Sequence, residues 1–252
     1  MILLEGKKLN KSFITKDRTT YALIDVDFEL HENEVLGIVG ESGSGKSTLL
    51  KVIAGVLQAD SGSLYYKGEE YTEKKPRVTG DFLQMVFQNP MSAFDPRMTM
   101  ERSIVESNRH GKDRAELVDL IKKVGLDEGL LKRKPSELSG GQCQRMAIAR
   151  AFYSGVGILM CDEITSALDV STQAQVIDLL NELKAQGLLS AVFVSHDIAL
   201  VSMICDRIMV MKDGKCIETG TTKEVIKEPV NAYTKMLIES AERQSVEYGC
   251  KL

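Results

Sequence analysis

"GESGSGKSTL", residues 40–49, directly follows the apolar run Val35-Leu-Gly-Ile-Val39. A buried strand, then a glycine loop, then Lys-Ser-Thr opening a helix is the order that a nucleotide phosphate chain calls for. Glycines at 40, 43 and 45 let backbone N–H groups turn toward one centre with no Cβ in the way. The helix that begins at Lys46 adds the positive end of its dipole. Lys46 is expected to meet the β- and γ-phosphates, and Ser47 to offer an oxygen to magnesium. Gly40, Glu41, Ser42, Gly43, Ser44, Gly45 and Thr48 complete the expected cradle.

Outward from this loop, short apolar runs alternate with helical patterns, the signature of a largely parallel α/β sheet. Residues 85–87, 158–161 and Ala191–Val194 read as strands. Residues 46–57 read as a helix with Leu49, Leu50, Ile53 and Leu57 on one face. Residues 171–186 read as another, capped by Ser171 and Thr172 and stopped by Gly187. A hairpin is expected where 208–211 meets 216–218 across Asp213-Gly214. Gly40, Gln88, Asp162 and His196 each follow a predicted strand. Open α/β sheets bind ligands outside those carboxyl ends, so one shared site is expected.

Composition narrows the classes. With 252 residues, 43% hydrophobic and 27% charged, the chain can bury one sizeable core. Its net charge of −4 and lack of a dense Lys/Arg block argue against a nucleic-acid partner. The five cysteines, Cys143, Cys161, Cys205, Cys216 and Cys250, are scattered and odd in number, which reads as reduced thiols of a cytosolic protein. The N-terminus lacks the form of a signal peptide, and no window approaches 18 uninterrupted apolar residues. Any membrane role is therefore expected to run through a partner.

The remaining chemistry sits in three places. The strand at 158–161 ends in Asp162-Glu163, placing one carboxylate for magnesium and a second to polarise an attacking water. His196 and Gln88 each end a strand at the same edge, where they can sense a γ-phosphate. The third place is "ELSGGQCQRMAIARA", 137–151, where Ser139 caps a helix with two glycines in its first turn. Glycine costs a helix about 0.8–1.0 kcal/mol relative to alanine, so two together point to close approach by something. Exposed N–H groups there favour an anion. The chain thus offers two phosphate-friendly helix starts but one lysine. Either a second anion binds, or the second start serves another molecule's nucleotide.

Taken together, the P-loop, Gln88, "LSGGQ" at 138–142, "ILMCDE" at 158–163, "SALD" at 166–169 and His196 resemble the ATP-binding subunits of ABC transporters over nearly the whole chain. The resemblance implies a single ABC ATPase domain: a P-loop NTPase core with a mostly parallel sheet, an N-terminal antiparallel β part and an inserted helical subdomain. The core would be 1–88 and 155–240, the insertion about 89–154, and 241–252 a polar tail. It implies ATP and Mg2+ as ligands, with Ser47, Gln88 and Asp162 on the metal and Glu163, His196 and Gln88 in catalysis. In this family two subunits meet head to tail. Ser139, Gly140, Gly141 and Gln142 of one would clasp the γ-phosphate held by the other, and Asp169 would communicate across the interface. Phe13 resembles the aromatic that stacks on adenine, with Tyr21 as the fallback.

Two stretches narrow the family. "VFQNPMSAFDPRMTM", 86–100, and "EPVNAYTKMLIES", 228–240, are similar to regions of peptide and nickel importer ATPases. ATP-driven uptake is implied, of peptides, nickel or a metal chelate. The implied partners are a second ATPase, a paralogue rather than a copy, two transmembrane permeases and, indirectly, an extracytoplasmic substrate-binding protein. The chain would then sit peripherally on the cytoplasmic membrane face. The competing expectation is a soluble ABC-type ATPase, as in a carbon–phosphorus lyase system. Departures from the family pattern are Ile164 after Glu163, Val156 before the strand, Cys143 and Cys161. None removes a catalytic group.

Overall fold

The strand that feeds the glycine loop is β3, Val35–Val39, and every one of its residues is buried. In the computed structural model it runs parallel to two neighbours, Ala191–Val194 on one side and Arg207–Lys212 on the other. Successive side chains point to opposite faces, and all five are buried, so both faces are covered and the sequence is an unbroken apolar run. The structure describes residues 1–16, 18–71, 80, 82–108, 111, 113–166 and 168–247. Two compact units result, Met1–Thr79 with Leu189–Leu252, and Gly80–Leu188.

The first unit opens with the long strands β1 (Ile2–Ile14) and β2 (Thr19–His31), paired antiparallel. Val26, Phe28 and Leu30 alternate inward along β2, the period of a half-buried strand. β4 (Ser61–Tyr66) and β5 (Glu69–Tyr71) extend this antiparallel layer in the order β2-β1-β4-β5. After β3 comes α1, Lys46–Ile53, which is shorter than the sequence pattern: Gly55 turns left-handed at φ 67° and stops it before Leu57.

The second unit holds two parallel strands, β6 (Leu83–Val86) and β7 (Ile158–Asp162). Between them lie α2 (Met100–Val105), α3 (Arg114–Lys123) and α4 (Gly140–Tyr153), with single 3-10 turns at Pro90–Ala93, Glu128–Lys132 and Pro135–Glu137. α4 packs on α2, α3 and the Pro90–Ala93 turn. Fully buried Tyr153 ends it and donates its hydroxyl to the Asp113 carbonyl at 3.1 Å. α5 (Val170–Ala185) closes the unit, with Gly187 as its stop at φ 67°. Its cap is Asp169, not Ser171 or Thr172: the Asp169 carboxylate accepts the Thr172 N–H at 3.0 Å and the Thr172 hydroxyl at 2.7 Å. Aspartate outcompetes a hydroxyl here because an ionised oxygen makes the stronger bond to an amide.

The chain then returns to the first unit as β8 (Ala191–Val194), α6 (Ile198–Ser202), β9 (Arg207–Lys212) and β10 (Lys215–Thr221). β9 and β10 form the expected hairpin, with Asp213 and Gly214 both at positive φ as its tight turn. α7 (Thr222–Lys227) and α8 (Ala232–Glu247) end the described chain. Cys250 and residues 248–252 of the polar tail lie outside the described residues.

The helix after β8 is pressed onto β3 at Gly37. A Cβ placed there would lie 2.3 Å from Val201 Cγ1 and 2.9 Å from Cys205 Sγ. Neither neighbour can yield, since both are buried. Gly37→Ala is therefore expected to lower stability by roughly 1–3 kcal/mol through overpacking, read as a fall in the denaturant midpoint with an unchanged slope.

Candidate nucleotide site

The loop between β3 and α1 is built around a buried cation. Lys46 is only 5% exposed, and its ammonium donates to the Gly40 carbonyl at 2.7 Å and the Glu41 carbonyl at 2.8 Å. Wrapping the loop around one side chain leaves no room at two glycines. A Cβ on Gly40 would stand 2.2 Å from the Met211 carbonyl oxygen, and one on Gly45 2.3 Å from that of Ala22. Gly43 is different: nothing lies within 4 Å of where its Cβ would be, and only its φ of 84° calls for glycine. Gly45 is also the N-cap of α1, so no side chain closes onto the first turn of that helix. Its N–H groups point where an anion is favoured.

His196 follows β8, the parallel neighbour of β3, so the histidine and the loop share one sheet edge in this unit. It is exposed and does not cap α6. That task falls to Asp197, which accepts the Ala199 N–H at 2.9 Å and the Leu200 N–H at 3.1 Å. The two aromatic candidates also belong here. Ser12 pairs with Tyr21 and Phe13 with Thr20, so Phe13 and Tyr21 point to opposite faces of the β1–β2 ribbon. They are alternatives, not a pair. Phe13 is 42% exposed and has the Lys11 ammonium 5.8 Å from its ring centre.

In the second unit, β6 and β7 end side by side, with Val86 opposite Cys161. Gln88 and Glu163 follow them. Glu163 takes φ 49°, unusual for a residue with a side chain, and such strain gathers at functional sites. Ser166, which sequence reading passed over, ties the two together. The Gln88 amide nitrogen donates to Ser166 Oγ at 2.9 Å, and that hydroxyl donates to the Glu163 carbonyl at 2.9 Å. Its only sequence signal is a hydroxyl three residues past Glu163 in "SALD"; Ala167 of that stretch lies outside the described residues. The bond fixes the Gln88 amide and turns its oxygen away from Ser166.

The start of α4 differs from that of α1. Ser139 and Gln142 form a reciprocal capping box: the Gln142 N–H donates to Ser139 Oγ at 3.2 Å and the Ser139 N–H to Gln142 Oε1 at 2.9 Å. Nor do both glycines answer to an outside molecule. A Cβ on Gly141 would lie 2.3 Å from Thr172 Cγ2 of α5, so that glycine is needed by packing within the chain. Gly140 is exposed, and a Cβ placed there would meet Leu168 Cδ2 at 3.9 Å, ordinary van der Waals contact.

The sequence profile of the ABC transporter family matches residues 23–166. The chain belongs to the ABC transporter family. It is an ATP-binding, ATP-hydrolysing subunit. This ABC ATPase is 42% identical to the oligopeptide transport ATP-binding protein OppF of Escherichia coli (strain K12), over 95% of the chain and 77% of that protein. It is 39% identical to the dipeptide transport ATP-binding protein DppF of Haemophilus influenzae, over 94% of the chain and 75% of that protein. Among solved structures it is similar to the dimeric ATP-binding cassette MJ0796 in a post-hydrolysis state bound to ADP and Pi. That likeness has a TM-score of 0.76 and 29% identity, covering 87% of this chain and 99% of that one. The fold is that of an ABC ATPase, with its mixed α/β core and antiparallel β part. Among the described residues, no helix is long and apolar enough to cross a membrane.

Three of the four departures from the family pattern are core positions, while Val156 is half-buried. Cys143, Cys161 and Ile164 are all buried. Burial pushes the Cys143 thiol up to about 11 and raises Cys161 further, with the Asp162 charge adding to the effect there. Both stay protonated near neutral pH, and a protonated thiol is a poor nucleophile. Iodoacetamide at pH 7.5 is expected to leave Cys143 and Cys161 unlabelled in the folded ABC ATPase and to label both in urea, checked by peptide mass spectrometry.

Proposed function

We propose that this ABC ATPase powers substrate uptake through a membrane permease, most closely in the manner of the oligopeptide and dipeptide relatives. The observation that carries the chemical part is the loop around Lys46: a buried ammonium beside a helix start that no side chain caps. An ATP triphosphate is the anion that a lysine beside an uncapped helix start is suited to receive. On this reading Gly40, Glu41, Ser42, Gly43, Ser44, Gly45, Lys46, Ser47 and Thr48 hold the phosphates, with either Phe13 or Tyr21 against the adenine.

Ser47, Asp162 and the Gln88 amide oxygen are the proposed magnesium donors. All three are hard oxygens, the kind that Mg2+ takes alongside phosphate and water. Bound there, Mg2+ offsets charge on the phosphate oxygens. Glu163 is the proposed general base. Its carboxylate orients a water and accepts its proton as the oxygen attacks the γ-phosphorus and the bond to ADP breaks. His196 stabilises the γ-phosphate by donating a hydrogen bond.

The second anion site is proposed to act in trans. Ser139 Oγ accepts from Gln142 but keeps its own proton to donate, and Gly140 is open to a partner. Ser139, Gly140, Gly141 and Gln142 would close on ATP held by a second ATPase subunit, a paralogue rather than a copy, with Asp169 beside them. The dimeric state of the similar cassette supports this arrangement. Two permease subunits and an extracytoplasmic binding protein complete the proposed complex, which places the chain peripherally at the cytoplasmic membrane face. Residues 89–154 are proposed to form the arm that passes ATP-driven movement to a permease.

Two substitutions test this. Lys46→Ala is expected to lose ATP binding and hydrolysis together; near-normal turnover would show that the loop is not the phosphate site. Glu163→Gln is expected to keep ATP binding while hydrolysis falls about 10²–10⁴-fold, the usual cost of removing a positioned base. With Mg-ATP the same variant is expected to accumulate as a dimer on size exclusion, alone or with its paralogue. A variant that binds ATP yet stays monomeric with every candidate partner would exclude the trans site.

A further inference from the structure

The segment "EPVNAYT", 228–234, plays no part in the chemistry above, yet it reaches the P-loop. The Glu41 N–H donates to the Tyr233 hydroxyl at 3.0 Å, across 192 residues of sequence. That N–H belongs to the same peptide unit as the Gly40 carbonyl, which accepts the Lys46 ammonium at 2.7 Å. In a trans peptide the C=O and N–H point in opposite directions from one rigid plane. One end of this plane therefore holds the lysine, and the other is held by the tyrosine.

The tyrosine is itself held. Its ring is 7% exposed, with the Lys212 ammonium 4.6 Å from the ring centre. Its own N–H donates to Asn231 Oδ1 at 2.9 Å. The Glu218 carboxylate of β10 accepts the Val230 N–H at 2.8 Å and the Asn231 N–H at 3.0 Å, one on each oxygen. A chain of hydrogen bonds thus runs from β10 through the start of α8 to the glycine loop. α8 also packs on α6, the helix that follows His196. Burial pushes the Tyr233 hydroxyl above the ordinary phenol range, so near neutral pH it remains a neutral hydroxyl facing the loop.

We infer that Tyr233 is a positioning residue of the nucleotide site, fixing the Gly40–Glu41 peptide and through it the Lys46 ammonium. The inference rests on Lys46 being the phosphate ligand. Glu218 and Asn231 are the struts that keep the tyrosine in place. The segment that marks the chain's C-terminal part as importer-like thereby becomes part of the ATP site, although it touches no phosphate itself.

Tyr233→Phe keeps the ring and removes only the hydroxyl. The full-length chain is titrated with a fluorescent ATP analogue, and turnover at saturating ATP is measured in the assembled transporter. The variant is expected to bind the analogue about three- to tenfold more weakly, the effect of one net hydrogen bond, while kcat stays within twofold. Glu218→Gln, which keeps the shape but loses one acceptor, is expected to shift affinity the same way. Because the two act through one chain of contacts, the double variant should be no weaker than the worse single one. Unchanged affinity in Tyr233→Phe would overturn the inference, as would a fall in kcat with affinity intact. Wild type and Lys46→Ala titrated alongside show separately whether the loop is the nucleotide site at all.

Discussion

A buried ammonium has to be answered by oxygen, and much of the first unit follows from that constraint. Removing a charge from water without partners costs far more than a domain's net stability. Two carbonyls of its own loop take part in meeting this requirement for Lys46. To bring those carbonyls inward the chain must turn sharply at Gly40, Gly43 and Gly45, each at positive φ. Having turned, the loop rests on backbone from β2 and β9, at Ala22 and Met211, with contacts too close for any side chain at Gly40 or Gly45. A binding loop is often described as flexible. This one is shaped by its surroundings, and its open position is Gly43.

In the second unit, polar groups proposed to act on nucleotide also serve the fold. Asp169 caps α5, Ser139 and Gln142 cap each other at α4, and Gln88 is steadied through Ser166 by the Glu163 carbonyl. Such bonds restrict rotamers, so the ordering cost is met on folding and not on ligand binding. Hydrogen bonds to Thr172, side chain first and then backbone, hold the Asp169 carboxyl below the usual carboxylate range. It is therefore ionised near neutral pH. The left-handed φ of Glu163 and the bond from Ser166 to its carbonyl fix the backbone from which its carboxylate projects.

Local signals decide the structure wherever they are dense. β3 and β8 fall where their apolar runs place them, and the β9–β10 hairpin follows from Asp213-Gly214. They do not decide it where two local signals compete. The expected caps of α5, Ser171 and Thr172, follow a carboxylate at Asp169, and the apolar pattern of α1 runs past Gly55 to Leu57. The structure gave the cap to the carboxylate and let Gly55 end the helix. It also reassigned a clue: the glycine pair opening α4 pointed outward in sequence, but Gly141 is small because Thr172 fills the space.

The sequence by itself determined the chemical inventory: a lysine behind a glycine loop, two consecutive carboxylates after a buried strand, and a second glycine-rich helix start. These are short-range patterns, complete within a few residues, and they suffice to place the chain among ABC ATPases. Only the tertiary structure decided which groups are held and by what. Ser166 is no more than the first residue of "SALD" until Gln88, 78 residues earlier, comes within 2.9 Å of it. Tyr233 looks like a family marker in a C-terminal helix until folding sets its hydroxyl against Glu41. Hydrogen bonds act over about 3 Å whatever the sequence separation, so a reading confined to neighbouring residues cannot find them.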